Sequence, residues 1–77
     1  MKTKYKFIEF RKEDNNLYYI WNHRYNQYLG ELRYNAIKKW EEWEFLPDSY
    51  TAFTHQCLED IIHFIKQLKD LEVRANH

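Results

Sequence analysis

Phe53-Thr54-His55-Gln56-Cys57-Leu58-Glu59-Asp60-Ile61-Ile62-His63-Phe64-Ile65-Lys66-Gln67-Leu68-Lys69-Asp70-Leu71 decides the fold. This stretch holds no Gly and no Pro. Cys57, Ile61, Phe64, Ile65, Leu68 and Leu71 recur at steps of three and four, with Leu58 and Ile62 beside them. That spacing predicts an amphipathic helix over about residues 54–72 with a wide apolar stripe. Thr54 is placed to cap its first turn. Phe53 before the cap and Leu58 at the fourth helical position form the pattern of a hydrophobic staple. His55, Glu59, His63, Lys66 and Asp70 fall on the opposite, wet side. Residues 73–77 are expected to fray.

Upstream the period changes from about four to two. Pro47 lacks a ladder donor and should close a sheet. Before it, Trp40 to Leu46 reads as a strand, with Trp43 and Phe45 on one face and Glu42 and Glu44 on the other. Gln27 to Tyr34 reads as another. A strict alternation puts Tyr28, Leu32 and Tyr34 on the face of Gly30, and Leu29, Glu31 and Arg33 on the other. Gly30, the only glycine, lies inside this strand, which suggests a bulge or a close backbone approach. Leu17 to Trp21 is rich in β-formers, and residues 4–11 alternate charge with rings. Asn and Asp at 13–16, the polar run 22–26 and residues 35–39 supply the turns.

The fold class is therefore α+β: a four-stranded antiparallel β-meander with one C-terminal amphipathic helix across one face, in the order β-β-β-β-α. Residues 1–77 make one domain, with the sheet over about 4–46. An 18-residue helix reaches about 27 Å, enough to cross four strands spaced about 4.8 Å apart. One sheet face is covered and one is left bare.

Composition narrows the function classes. Aromatics make up 19% of the chain, which suits a thin core. The formal net charge is zero, but residues 1–39 carry nine Lys or Arg against four acids, and residues 40–77 three against eight. Cys57 is the only cysteine, so no intrachain disulfide forms and a reducing, cytoplasmic setting is expected. No apolar run is long enough to cross a membrane.

The motifs for chemistry are sparse. His55, Glu59 and His63 share a helix stripe at metal-ligand spacing, but a site needs three or four ligands with outer support, and no metal is expected there. Cys57 sits in the apolar stripe, where a thiol is inert core filler. Glu41, Glu42 and Glu44 lack the cleft that separates the pKa values of paired catalytic carboxylates. With one glycine there is no phosphate-cradling loop, and no cofactor or small-molecule substrate is expected. Basic residues interleaved with rings are the suggestive feature, and Lys4, Lys6, Tyr19, Arg24, Tyr25 and Arg33 are the candidate partner-binding residues. These features predict a non-enzymatic interaction module that binds a protein partner or forms a homo-oligomer, through the aromatic and basic sheet face or a sheet edge. The alternative is single-stranded nucleic-acid binding, with rings stacked on bases and Lys or Arg on phosphates.

Leu29-Gly30-Glu31-Leu32, Trp40-x-x-Trp43-x-Phe45-x-Pro47 and Cys57-Leu58-Glu59-Asp60-Ile61-x-x-Phe64-Ile65-x-x-Leu68 together resemble small uncharacterised proteins of bacteriophages and prophages. The resemblance spans roughly residues 5–70. It implies a mobile-element context and a cytoplasmic setting, and carries no activity. The plan is also similar to the three-stranded-sheet-plus-helix DNA-binding modules of integrases. This chain departs from those in its fourth strand and its zero net charge.

Overall fold

The computed structural model describes residues 1–35 and 42–75. It contains strands β1 (Ile8–Asp14), β2 (Leu17–Asn22), β3 (Gln27–Asn35) and β4 (Glu42–Pro47), then helix α1 (His55–Ala75). The strands form one antiparallel sheet in sequential order. The expected α+β meander-plus-helix is the observed fold. Residues 36–41, which hold the expected third turn and the start of the fourth strand, lie outside the described residues, as do 76–77. The helix runs on through Val73 to Ala75, beyond its expected end, because no Gly or Pro stops it.

Turn chemistry fixes the hairpins. Asn16 N–H donates to Asp14 Oδ1 at 2.7 Å, an Asx turn that reverses the chain between β1 and β2. At the β2–β3 turn, Asn22 Oδ1 accepts from the backbone N–H of Arg24 and Tyr25. Asn26 takes the left-handed conformation there, at φ 51°.

Two local expectations fail, both for backbone reasons. Residues 4–11 are not one strand. Tyr5 N–H donates to Ile8 C=O and Phe10 N–H to Thr3 C=O, both at 2.8 Å, so the chain doubles back on itself before β1. The alternation of rings and lysines there marks a tight turn that drives Tyr5 into the core. The second failure is in β3. Ile20 pairs with Gly30 and Trp21 with Tyr28, so Leu29 is an extra residue in a β-bulge. The bulge exchanges the two faces upstream of Gly30. Leu29 enters the core, and Tyr28 leaves it to meet Tyr19 and Trp21 on the other side.

The core lies between the sheet and α1. Phe64 is fully buried, stacked on Phe10 with ring centroids 4.0 Å apart and edge-on to Tyr18 at 5.1 Å. Ile8, Ile20 and Leu32 surround it, with Ile61 and Leu68 one turn to either side on the helix. At the start of the helix the Phe53 ring packs edge-on against Phe45 of β4 at 5.1 Å. Thr54 caps as expected: its Oγ1 accepts from Cys57 N–H, and its carbonyl accepts the first helical bond from Leu58 N–H. Thr54→Ala should cost about 1 kcal/mol. A urea titration should show the midpoint fall with an unchanged slope.

Candidate functional site

The sheet has one face under α1 and one face without a covering element among the described residues. Register and pleat put Glu9 and Arg11 of β1, Leu17, Tyr19 and Trp21 of β2, Tyr28, Glu31 and Arg33 of β3, and Glu44 and Leu46 of β4 on the uncovered face. At its centre Tyr28 packs edge-on against Trp21 at 5.6 Å and Tyr19 at 5.9 Å. The Arg11 guanidinium lies 4.5 Å from the Trp21 ring centroid, a cation–π contact. All three rings keep part of their surface in water.

The charges on this face are paired in a repeating way. Arg11 donates to Glu9 Oε1 at 2.7 Å and Arg33 to Glu31 Oε1 at 2.7 Å, each two residues apart on one strand. Lys4 reaches the other oxygen of Glu9 at 4.0 Å. The Arg11 hydrogen bond holds the Glu9 carboxyl below its ordinary range, and the positive charges of Arg11, Lys4 and His23 add to this. The face is therefore a set of short ion pairs around an aromatic centre, with little net charge.

The candidate residues do not form a single cluster. Tyr19 and Arg33 are on the uncovered face, linked through Glu31, which stands opposite Tyr19 and pairs with Arg33. Arg24 and Tyr25 sit at the exposed β2–β3 tip. Lys4 leans toward Glu9, and Lys6 lies over the Phe7 ring at 5.2 Å. Tyr5 and Tyr18, two rings of the interleaved pattern, are buried on the helix side and cannot stack on a ligand. Sequence reasoning missed Trp21, Tyr28 and Arg11. The signal for Tyr28 was the lone glycine in the strand; for Trp21 and Arg11 it was plain alternation with Tyr19.

No family model, curated protein or solved structure matches this chain. The geometry alone therefore carries the functional reading.

A second polar group lies where the N-terminal segment crosses α1. The Tyr5 hydroxyl is 2.7 Å from His63 Nδ1 and accepts from Gln67 Nε2 at 3.2 Å. Gln67 also bonds both backbone groups of Lys2, and His23 Nε2 meets the Tyr5 carbonyl at 2.8 Å. Asp60 is buried beside them. One of its oxygens accepts from Gln56 and the other has no hydrogen-bond partner among the described residues. The helix stripe of His55, Glu59 and His63 is divided among separate contacts: His55 faces Glu59 at 3.0 Å, whereas His63 faces Tyr5. Among the described residues no three His, Cys, Asp or Glu side chains gather as metal ligands would. The surface nearby has a depression lined by Met1, Gln67, Asp70 and Leu71. No helix among the described residues is long and apolar enough to cross a membrane.

Burial raises the Tyr5, Tyr18 and Tyr28 phenols above their ordinary 10.0, and the Asp60 charge adds to the effect at Tyr5. In the unfolded chain they ionise near 10.0, in the folded chain only at higher pH. The stability tied to these groups is complete below the unfolded value and is lost as pH rises through the folded one. Urea midpoints should thus fall as pH rises beyond about 10, with phenolate absorbance lagging that of free tyrosine.

Proposed function

We propose that this protein is a non-enzymatic interaction module that binds a protein partner through the uncovered sheet face, centred on Trp21, Tyr28 and Tyr19. The observation that supports it is the aromatic centre itself. Three large rings and a stacked arginine share a face without a covering element among the described residues. Trp, Tyr and Arg are the side chains that most often dominate protein–protein binding energy. The surrounding ion pairs suit a partner surface that also presents both signs of charge. Self-association through a sheet surface belongs to the same reading.

The pairing of charges weighs against single-stranded nucleic acid. Arg11 and Arg33 are already held by Glu9 and Glu31, and those carboxylates would face the phosphates. Trp21 fluorescence should therefore stay flat when a single-stranded oligonucleotide is added at about 50 mM salt. A saturable, salt-sensitive quench would reverse the assignment. For the protein reading, the natural partner should be retained at stoichiometric level by the wild-type chain. Trp21→Ala and Tyr28→Ala should each weaken it at least about tenfold while leaving the fold unchanged. Retention unaffected by both variants sinks the proposal.

A further inference from the structure

The charges of the uncovered face are antisymmetric about β2. Three rows of residues cross that face. In the first, Lys4 bridges to Glu9, which stands opposite Trp21 and then Tyr28. Asp48, just past the end of β4, closes this row, with its N–H bonded to the Leu29 carbonyl at 2.9 Å. Arg11, Tyr19, Glu31 and Leu46 make the second row, and Asp14, Leu17, Arg33 and Glu44 the third. β2 itself contributes Trp21, Tyr19 and Leu17, none of them charged. To either side of it the signs are opposed: Lys4 against Asp48, Arg11 against Glu31, Asp14 against Arg33. Burial first, and then the charges of Glu31 and Asp48, push the Tyr28 phenol up, so both carboxylates stand near that ring.

A face with that property is complementary to itself. A two-fold axis along β2 turns each row end for end. A second copy laid face to face then presents Glu31 to Arg11, Asp48 to Lys4 and Asp14 to Arg33, each contact occurring twice. The uncharged line of Trp21, Tyr19 and Leu17 meets its own copy, as in aligned sheets packed about 10 Å apart. Glu9 comes opposite the Tyr28 hydroxyl, which can donate to it. Glu44 falls outside the sheet of the second copy and keeps its bond from Asn35. The like charges that come nearest across the axis, Glu9 with Glu31 and Asp14 with Glu44, are diagonal, and Arg11 and Arg33 stand between them. An axis across the strands does worse. Centred on any row, it sets Glu9, Arg11 or Arg33 on its own copy. Centred between two rows, it leaves either the Trp21 row or the Leu17 row without a counterpart.

We infer that the uncovered face is a homodimer interface, in which two copies pack their sheets face to face about an axis along β2. The inference rests on the reading of this face as an interaction surface and names its occupant. An unrelated protein would need both signs of charge but not this antisymmetry, which only a copy of the same chain requires. Four strands about 4.8 Å apart, with about five residues of each in the rows, make a small face, so the dimer belongs to the weak, reversible class.

Sedimentation of the full chain from about 10 µM to 1 mM should show a monomer–dimer equilibrium. Arg11→Glu and Glu31→Arg should each weaken self-association at least about tenfold, because each sets like charges across the axis twice. An equimolar mixture of the two variants should recover the dimer, since each then supplies the sign the other lacks. Both are surface changes, and circular dichroism of each variant checks its fold. In a mixture of isotope-labelled and unlabelled wild-type chains, intermolecular Overhauser contacts should join the Tyr19 ring to Leu17 and Trp21. A strictly monomeric wild type overturns the inference. So does a mixture of folded variants no more associated than its components, or a dimer whose intermolecular contacts come from the helix or the β4 edge. A monomer that still binds another protein through Trp21 and Tyr28 overturns this inference alone. A monomer whose partner is retained equally by Trp21→Ala and Tyr28→Ala overturns the interaction reading as well.

Discussion

Phe64→Ala should unfold this protein or leave it barely folded. Phe64 has no exposed surface, stacks on Phe10 of β1 at 4.0 Å and meets Tyr18 of β2 edge-on. It is the side chain through which α1 holds the first two strands. Truncating a buried Phe to Ala costs about 3–5 kcal/mol, from lost transfer energy and the cavity left behind. A chain of this length has a total stability of about 4–12 kcal/mol. The loss is therefore between about a quarter of the fold's stability and all of it. Repacking offers little relief, because Ile8, Ile20 and Leu32 around the ring are already buried to within about a hundredth of their surface. Phe64→Leu should cost much less, since it keeps most of the volume. Urea denaturation followed by Trp fluorescence compares the two. A Phe64→Ala protein with a midpoint near wild type would mean that the helix is not seated on the sheet as described.

Gly30→Ala should be nearly as damaging, although it adds only one methyl group. A Cβ at position 30 would come within 2.5 Å of the Leu46 carbonyl oxygen and 2.9 Å of Pro47 Cα. Both are backbone atoms of β4, so no side-chain rotation relieves the clash. The φ of +148° is also one that L-residues rarely adopt, and such strain costs about 1–3 kcal/mol by itself. Either β4 separates from β3 or the bulge straightens. A straightened bulge would move Tyr28 toward the helix side and Leu29 into water, removing the centre of the uncovered face. The variant should thus lose about 2–4 kcal/mol of stability. It should also lose the upfield ring shifts expected of Tyr28 against Trp21. Retention of both would show that the bulge does not set the face.

This glycine also shows how far the sequence could be read. Element order, helix cap and helix stripe followed from local rules, because apolar spacing and capping act within a few residues. The meander followed from turn residues and from the absence of any crossover helix. The faces of β3 did not follow, since a one-residue bulge inverts the pattern on one side of it and leaves no mark except the glycine. Tyr5 was misplaced for a similar reason. Its N–H turns to meet the Ile8 carbonyl, and its hydroxyl is claimed by His63 and Gln67, more than fifty residues away. Such long-range partners are invisible in local alternation. Asp60 is the plainest case. It sits between two apolar helix positions, and only its burial beside Tyr5 separates it from an ordinary surface acid. The aromatic centre was half legible: Tyr19 was singled out, whereas its neighbours Trp21 and Tyr28 needed the register to be known.

The functional reading depends on which rings α1 covers and which it leaves open, and nuclear Overhauser contacts of the assigned aromatic protons test that most directly. The Phe64 ring should show strong contacts to Phe10 and Tyr18 and none to Trp21 or Tyr28, while Trp21 should show contacts to Tyr28 and the Arg11 side chain. Contacts between Phe64 or Ile61 and the Trp21 or Tyr28 rings would place the helix on the other face of the sheet and contradict the account.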